Sequence, residues 1–246
     1  ARPRPVSTFQ TRFESTVAAV GHAGSKAARR ELCAGLIAFV AADENLMSAL
    51  RHIDSSGGQA VGVDGLRPSA MSTSEQWAYV RQIRDVLIGR RYTQRALKRA
   101  AIPKRPGSQD KRTIYIQTLA DRVVSRAIAQ IIGPVLELSA DDFSYARCGR
   151  GAKYAIALAS YLAQEEGRTV WIVEDLANAF DRVPRPKLAE ILYRAIPNRE
   201  LCDLTLELAK APAKHGILQG ASVSSLLLNI YLDRTLHRRW RERQPH

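Results

Sequence analysis

Asp175, Phe180, Gln219 and a cationic run between Arg81 and Arg112 are the parts of this chain whose residue types and spacing suggest chemistry. The hydrophobic run Thr169-Val170-Trp171-Ile172-Val173 predicts a buried β-strand that delivers Asp175 at its end. A carboxylate at a strand terminus points to a fixed place, which is what metal-ion catalysis requires. Five residues on stands the bulky Phe180, and downstream Gly216-Ile217-Leu218-Gln219-Gly220 forms a second signature. Between Arg81 and Arg112, eleven Lys/Arg face only Asp85 and Asp110, a surplus of +9 in 32 residues. Such a block favours a polyanionic partner, because each phosphate neutralised releases condensed counterions. Taken singly, a strand-end Asp more often just closes a turn; a basic block can be a plain solvated face, but one this concentrated and broken by Ile, Leu and Tyr points to nucleic acid.

The rest of the composition narrows the classes. The 246 residues carry a net charge of +13, a pI of about 10.1 and 46% hydrophobic residues, enough for one large domain or two small ones. The longest apolar run, Cys33 to Ala42, is too short to span a bilayer, and no secretory signal opens the chain. No membrane partner is expected. Cys33, Cys148 and Cys202 are widely separated and show no metal spacing, which predicts a reduced, cytoplasmic protein without structural disulfides. The five histidines form no ligand cluster, and a start at Ala1 instead of Met suggests a piece of a longer polypeptide.

The elements that must position these residues can be read along the chain. Residues 1–28 are polar and Ala/Gly/Ser-rich and predict a loosely held arm with one short helix. Residues 29–51 suit an amphipathic helix broken near Ala42–Asn45, followed by loop signals at Gly57-Gly58 and Gly62-Val63-Asp64-Gly65. A helix is predicted over Thr73–Ile88, with Ser72 or Ser74 as N-cap. A cationic β-hairpin is predicted between Ala100 and Gln117 around Pro106-Gly107. Helices are then predicted over Thr118–Leu138, kinked or broken at Gly133-Pro134, and over Ala152–Glu166. Further helices are expected over Arg185–Ala195, Arg199–Lys210 and Ser222–Arg241, with Asp181 capping the one that begins near Pro184.

In this order the motifs resemble those of reverse transcriptases, particularly the bacterial class related to group II introns and retrons, from about residue 35 to 237. Ile102-Pro103-Lys104 with Lys111-Arg112-Thr113-Ile114-Tyr115-Ile116 resembles the fingers hairpin of that family. The resemblance implies that Lys104 and Arg112 grip the incoming triphosphate, with Arg105 and Lys111 near the template backbone or simply solvated. The Asp175 stretch resembles the first palm motif. It implies that Asp175 and the Leu176 carbonyl ligate two Mg²⁺ (or Mn²⁺) ions, and that Phe180 packs beneath the deoxyribose and rejects a 2′-hydroxyl. Gln219-Gly220 resembles the family's glutamine-glycine motif, with Gln219 contacting the nucleotide and Gly220 admitting close backbone approach; Ala221 and Ser225 depart from the usual Gly and Pro. Asn45-Leu46-Met47 through Gly65 resembles the N-terminal extension, and 142–151 the next block, with Arg147 and Arg150 near the template.

The implied fold is α+β: the fingers and palm of a right-hand polymerase, truncated before the catalytic Asp-Asp hairpin. Residues 1–28 would form the arm, 29–168 the fingers with the hairpin 100–117, and 169–246 a partial palm with an antiparallel sheet. The implied activity is RNA-directed DNA polymerisation, with RNA template, DNA or RNA primer and dNTPs as partners. Asp175 alone cannot hold two metals, so these residues are expected to be inactive without the remaining palm and thumb, in cis or in trans. Ala140-Asp141-Asp142-Phe143 is not that missing carboxylate pair, because it precedes the Asp175 strand where the family's pair follows it. The rival expectation is a non-catalytic RNA-binding module, either half of a split polymerase or a degenerate scaffold; an RNA-directed RNA polymerase is disfavoured by Phe180.

Overall fold

The chain folds in the order α1 (Thr8–Gly21), α2 (Lys26–Ala34), α3 (Leu36–Val40), α4 (Asp43–Ser56), a 3₁₀ turn (Pro68–Ala70) and α5 (Thr73–Ile88). The hairpin β1 (Lys98–Pro103) and β2 (Lys111–Ile116) follows, then α6 (Leu119–Glu137) and α7 (Ala152–Gln164). The last elements are α8 (Arg185–Ala195), α9 (Arg199–Leu208), α10 (Ser222–Leu232), a π-helical turn (Asp233–His237) and α11 (Arg238–Arg243). This computed structural model describes residues 8–56, 60–103, 107, 109–141, 144–145, 150–213 and 215–243, apart from the Arg112 side chain.

α6 is the central post. Its apolar residues recur at helical spacing, and Val123, Val124, Ala127, Ile128, Ile132 and Val135 are fully buried between α4 on one side and α10 on the other. Its first turn is fastened twice. Thr118 Oγ1 accepts from Asp121 N at 3.3 Å, and Asp64 Oδ2 accepts from Leu119 N at 2.7 Å, so two donors that the helix itself leaves unpaired are satisfied. The loop carrying Asp64 lies against the chain here: a Cβ on Gly62 would fall 2.5 Å from the Gln117 carbonyl oxygen. The break expected at Gly133-Pro134 does not occur, and α6 runs on to Glu137. Proline removes a bond to the preceding turn, but burial of Val135 and Leu136 holds the last turn in place.

The helix expected within residues 1–28 is present as α1, but it is packed and not loosely held. Phe13 and Val20 of α1 are buried, and Phe9, Phe13 and Phe39 form an aromatic cluster with ring centroids 5.5–6.4 Å apart. Their spacing along one helical face outweighs the polar composition around them. α5 starts with a capping box on Ser72, the first of the two expected caps, with Ser72 N donating to Glu75 Oε2 at 2.7 Å. The hairpin is antiparallel, with Ile102 opposite Arg112 and Pro103 opposite Lys111. It is the sheet found among the described residues. Cys33 and Cys202 are both free and buried, and burial pushes the Cys202 thiol up to about 12. No single helix among the described residues is long and apolar enough to cross a membrane.

Candidate active site

Thr169–Val173 is not the buried strand that its composition predicts. The backbone from Thr169 to Leu176 adopts no regular structure and pairs with no strand among the described residues, and Val170, Ile172 and Val173 are 86%, 85% and 93% exposed. A strand needs neighbours for its amides and carbonyls, and no described residue supplies them. The antiparallel palm sheet is therefore absent from the described residues, and Asp175 and the Leu176 carbonyl sit on an exposed segment.

Beyond Asp175 the chain becomes ordered by contact. Asn178 takes a left-handed φ of 54°, and Arg182 N donates to Asn178 O at 3.1 Å, closing a turn that carries Phe180. The Phe180 ring is half-buried against the core. Its carbonyl accepts from Ile217 N at 2.9 Å, and the Val183 carbonyl accepts from Gly216 N at 3.1 Å. The Gly216–Gly220 signature is thereby laid directly on the Phe180 turn. Gly216 is required for this approach: its φ is +82°, and an added Cβ would lie 2.6–2.8 Å from the backbone of Asp181. Ile217 and Leu218 are buried, whereas Gln219 and Gly220 are exposed. A Cβ at Gly220 would meet nothing within 4 Å, so the space beside this turn is open.

Asp181 does not cap α8. The N-cap is Pro184, without a side-chain hydrogen bond, and Asp181 instead presents its backbone to Gly216. Arg185, which the sequence reading passed over, holds the neighbouring loop. Its Nε donates to Gly216 O at 2.8 Å, and its Nη2 donates to the carbonyls of Ala211 at 2.9 Å, His215 at 3.1 Å and Ala213. A guanidinium has five donors in a rigid fork, so one side chain can satisfy a loop whose carbonyls lack helical or strand partners.

The root of the cationic hairpin lies beside this centre. Lys104 and Arg105, at its tip, lie outside the described residues; Arg112 is placed by its backbone, and Lys111 is exposed. The root of the hairpin is held by buried Asp121. Its Oδ1 accepts from Tyr92 Oη at 2.9 Å, and its Oδ2 accepts from Arg95 N at 3.1 Å and Thr118 Oγ1 at 2.8 Å. Burial raises the Asp121 carboxyl above its ordinary range, against the pull of those bonds and the Arg95 charge. Burial and the nearby Asp121 likewise raise the Tyr92 phenol. The spacing Thr118-x-x-Asp121 is a capping signal that could have exposed this residue in the sequence.

A groove of about 470 Å³ runs between α6 and α10, from Ser222 and Ser225, next to the Gln219-Gly220 turn, past Arg126 and Gln130 to Ser144. Arg150, exposed, lies just beyond that end in sequence, and Arg147 is outside the described residues. Ser125 Oγ of α6 accepts from Val223 N at 3.3 Å, tying the start of α10 to the central helix. At the far end Asp141 is buried: its N donates to Asp233 Oδ1 at 2.7 Å and its carboxylate pairs with Arg241. Asp141 thus serves a structural junction, while Asp142 and Phe143 lie outside the described residues.

A divalent ion does not find a complete site here. Asp175 offers one exposed carboxylate, and among the described residues no group of three or more His, Cys, Asp or Glu is placed to hold a metal. The arrangement brings together Phe180 and Gln219-Gly220, places the hairpin root beside them, and leaves Asp175 on a segment of its own.

A profile of the family described as reverse transcriptase (RNA-dependent DNA polymerase) matches residues 102–244. Protein YkfC of Escherichia coli (strain K12) is 30% identical over 222 residues, covering 83% of this chain and 58% of YkfC. Chains of two solved structures, a partial Cas6-RT-Cas1--Cas2 complex and a Cas6-RT-Cas1--Cas2 complex, align over 81% of this chain at TM-score 0.54 and 19% identity. The aligned parts are 34% and 21% of those chains, and the likeness is one of fold. The present chain thus spans less than two thirds of the length of these relatives. The profile covers more than half of it, and the chain belongs to the reverse transcriptase family.

Proposed function

We propose that this chain forms the fingers and the first part of the palm of an RNA-directed DNA polymerase of the bacterial, group II intron- and retron-like class. The observation that carries the reading is the Ile217 N to Phe180 O hydrogen bond of 2.9 Å. It sets a bulky ring and an exposed glutamine-glycine turn side by side, although Phe180 and Gln219 are 39 positions apart in sequence. Residues with those properties form a floor and a wall for a nucleotide: Phe180 would exclude a 2′-hydroxyl, and Gln219 would bond the sugar and base. Lys104 and Arg112 would carry the triphosphate, their charges offsetting the charge that develops on its oxygens. RNA template would lie in the α6–α10 groove, supported by Arg126 and by Arg150 beyond its end.

Asp175 and the Leu176 carbonyl are the ligands this chain would offer to Mg²⁺ or Mn²⁺, the ions the family generally uses. One carboxylate does not complete a two-metal site, so the other carboxylates would come from palm strands outside these residues, in cis or in trans. The exposed Val170–Val173 segment is consistent with such strands pairing beside it. The same lone carboxylate favours a second reading, an RNA-binding scaffold without turnover.

Primer extension on poly(rA)/oligo(dT) with Mg²⁺ separates the readings. The full-length polypeptide should incorporate dTTP, Asp175→Asn should abolish incorporation, and residues 1–246 alone should be inactive. No incorporation by the full-length polypeptide would favour the scaffold. Robust incorporation by the isolated chain would remove the need for outside carboxylates.

A further inference from the structure

The cationic hairpin and the Gln219-Gly220 turn come from distant parts of the sequence, yet they are fastened to two adjacent peptide carbonyls at one helix end, the hairpin to Leu208 O and the turn to Ala209 O. At the C-terminal end of α9 the last carbonyls have no partner inside the helix. The Leu208 carbonyl accepts from Gln117 Nε2 at 2.9 Å and from Gln94 Nε2 at 3.3 Å. The next carbonyl, Ala209 O, accepts from Leu218 N at 2.7 Å. Gln117 directly follows β2 and Gln94 precedes β1, so the two glutamines hold both legs of the hairpin. Leu218 directly precedes Gln219, and Ile217 before it bonds to Phe180.

The side chains differ in weight. Gln117 is 4% exposed, so its amide has no water to turn to if the Leu208 carbonyl moves away. Gln94 is half-exposed, and its backbone N is held separately by Glu207 Oε1 at 2.9 Å. β1 and β2 pack mainly on one another, which leaves the root as the place where the arm's direction is set. Asp121 fastens this root to α6, and Gln117 fastens it to α9 and hence to the glutamine-glycine turn.

We infer that Gln117 is a positioning residue for nucleotide binding: through the Leu208 and Ala209 carbonyls it sets the cationic hairpin at a fixed distance from Gln219. This rests on the polymerase reading above. It deepens that reading by naming the contact that keeps the triphosphate-gripping and base-contacting groups in register. Its loss should weaken the binding of dNTP and leave the chemistry of a bound nucleotide little changed.

Gln117→Met keeps the volume and removes the donor. In the full-length polypeptide, KM for dTTP should rise about tenfold, as for one lost buried hydrogen bond, with kcat at saturating dTTP within about twofold. An unchanged KM, or a fall in kcat alone, would overturn the inference. Hydrogen exchange on the 246-residue chain needs no activity, and so separates this inference from the polymerase reading. In Gln117→Met the amides of Ile114–Ile116 and of Leu218 should lose protection together. Faster exchange at the hairpin with Leu218 unmoved would show that the two are not coupled. Should Gln117→Met fail to fold, Gln94→Ala, at the half-exposed position, should produce the same paired loss at lower amplitude; no change at Leu218 would again refute the coupling.

Discussion

Phe180 shows how much of a side chain's role comes from what holds its backbone. Its ring is half-buried against the core, and its carbonyl accepts from Ile217 N at 2.9 Å, so the backbone that carries the ring is held in place. A gate must be rigid to discriminate by shape. Replacing Phe180 with Val in the full-length enzyme should therefore relax the rejection of rNTPs, on the order of tenfold in the dNTP/rNTP ratio of kcat/KM. Competition assays measure it directly, and an unchanged ratio would take Phe180 out of the sugar-gate role. Asp121 illustrates the opposite use of a polar group. It is completely buried, its carboxyl is raised by burial, and its three accepted hydrogen bonds hold the hairpin root.

Between elements, the decisive contacts are backbone to backbone. The Phe180 turn and the Gly216–Gly220 segment meet so closely that a side chain at position 216 has no room. Gly216→Ala combines a left-handed φ with a clash against the Asp181 backbone, which cannot rotate away as a side chain would. Unfolding in urea should show a loss of about 2 kcal/mol or more, and any surviving folded protein should bind dNTP less tightly. Stability equal to wild type would mean that the two segments can separate freely. Arg185 covers the adjacent loop by bonding four of its carbonyls, and the spare carbonyls ending α9 join the hairpin root to the same region.

Taken whole, the molecule has a well-packed helical half around α6 and an exposed apolar stretch. Tyr154, Ile156 and Tyr161 of α7, with Val170–Val173, leave large hydrophobic surfaces uncovered. Patches of this kind mark places where other structure packs. The net charge of +13 and the +9 of Arg81–Arg112 should make RNA binding steeply dependent on salt. If roughly five phosphates are neutralised, affinity for single-stranded RNA should fall about a hundredfold between 50 and 200 mM salt. Fluorescence anisotropy with an oligo(U) probe reads that slope, and a flat dependence would rule out the basic block as a nucleic-acid surface.

The hairpin, the α6 helix, the Ser72 cap and the order of the motifs were legible from residue types alone, because each rests on local periodicity, turn chemistry or spacing along the chain. Phe180 and Gln219 were nominated by the resemblance of their motifs to the family's, but their adjacency could not be read that way, since it depends on Gly216 letting two distant backbones touch. Arg185 and Gln117 carried no local signal at all: their partners are peptide carbonyls, which look alike in every sequence. The Thr169–Val173 segment marks the opposite boundary. Its composition is that of a buried strand, but a strand's backbone is satisfied only by neighbouring strands. Burial there needs neighbours that no described residue supplies, whatever the segment's own preference.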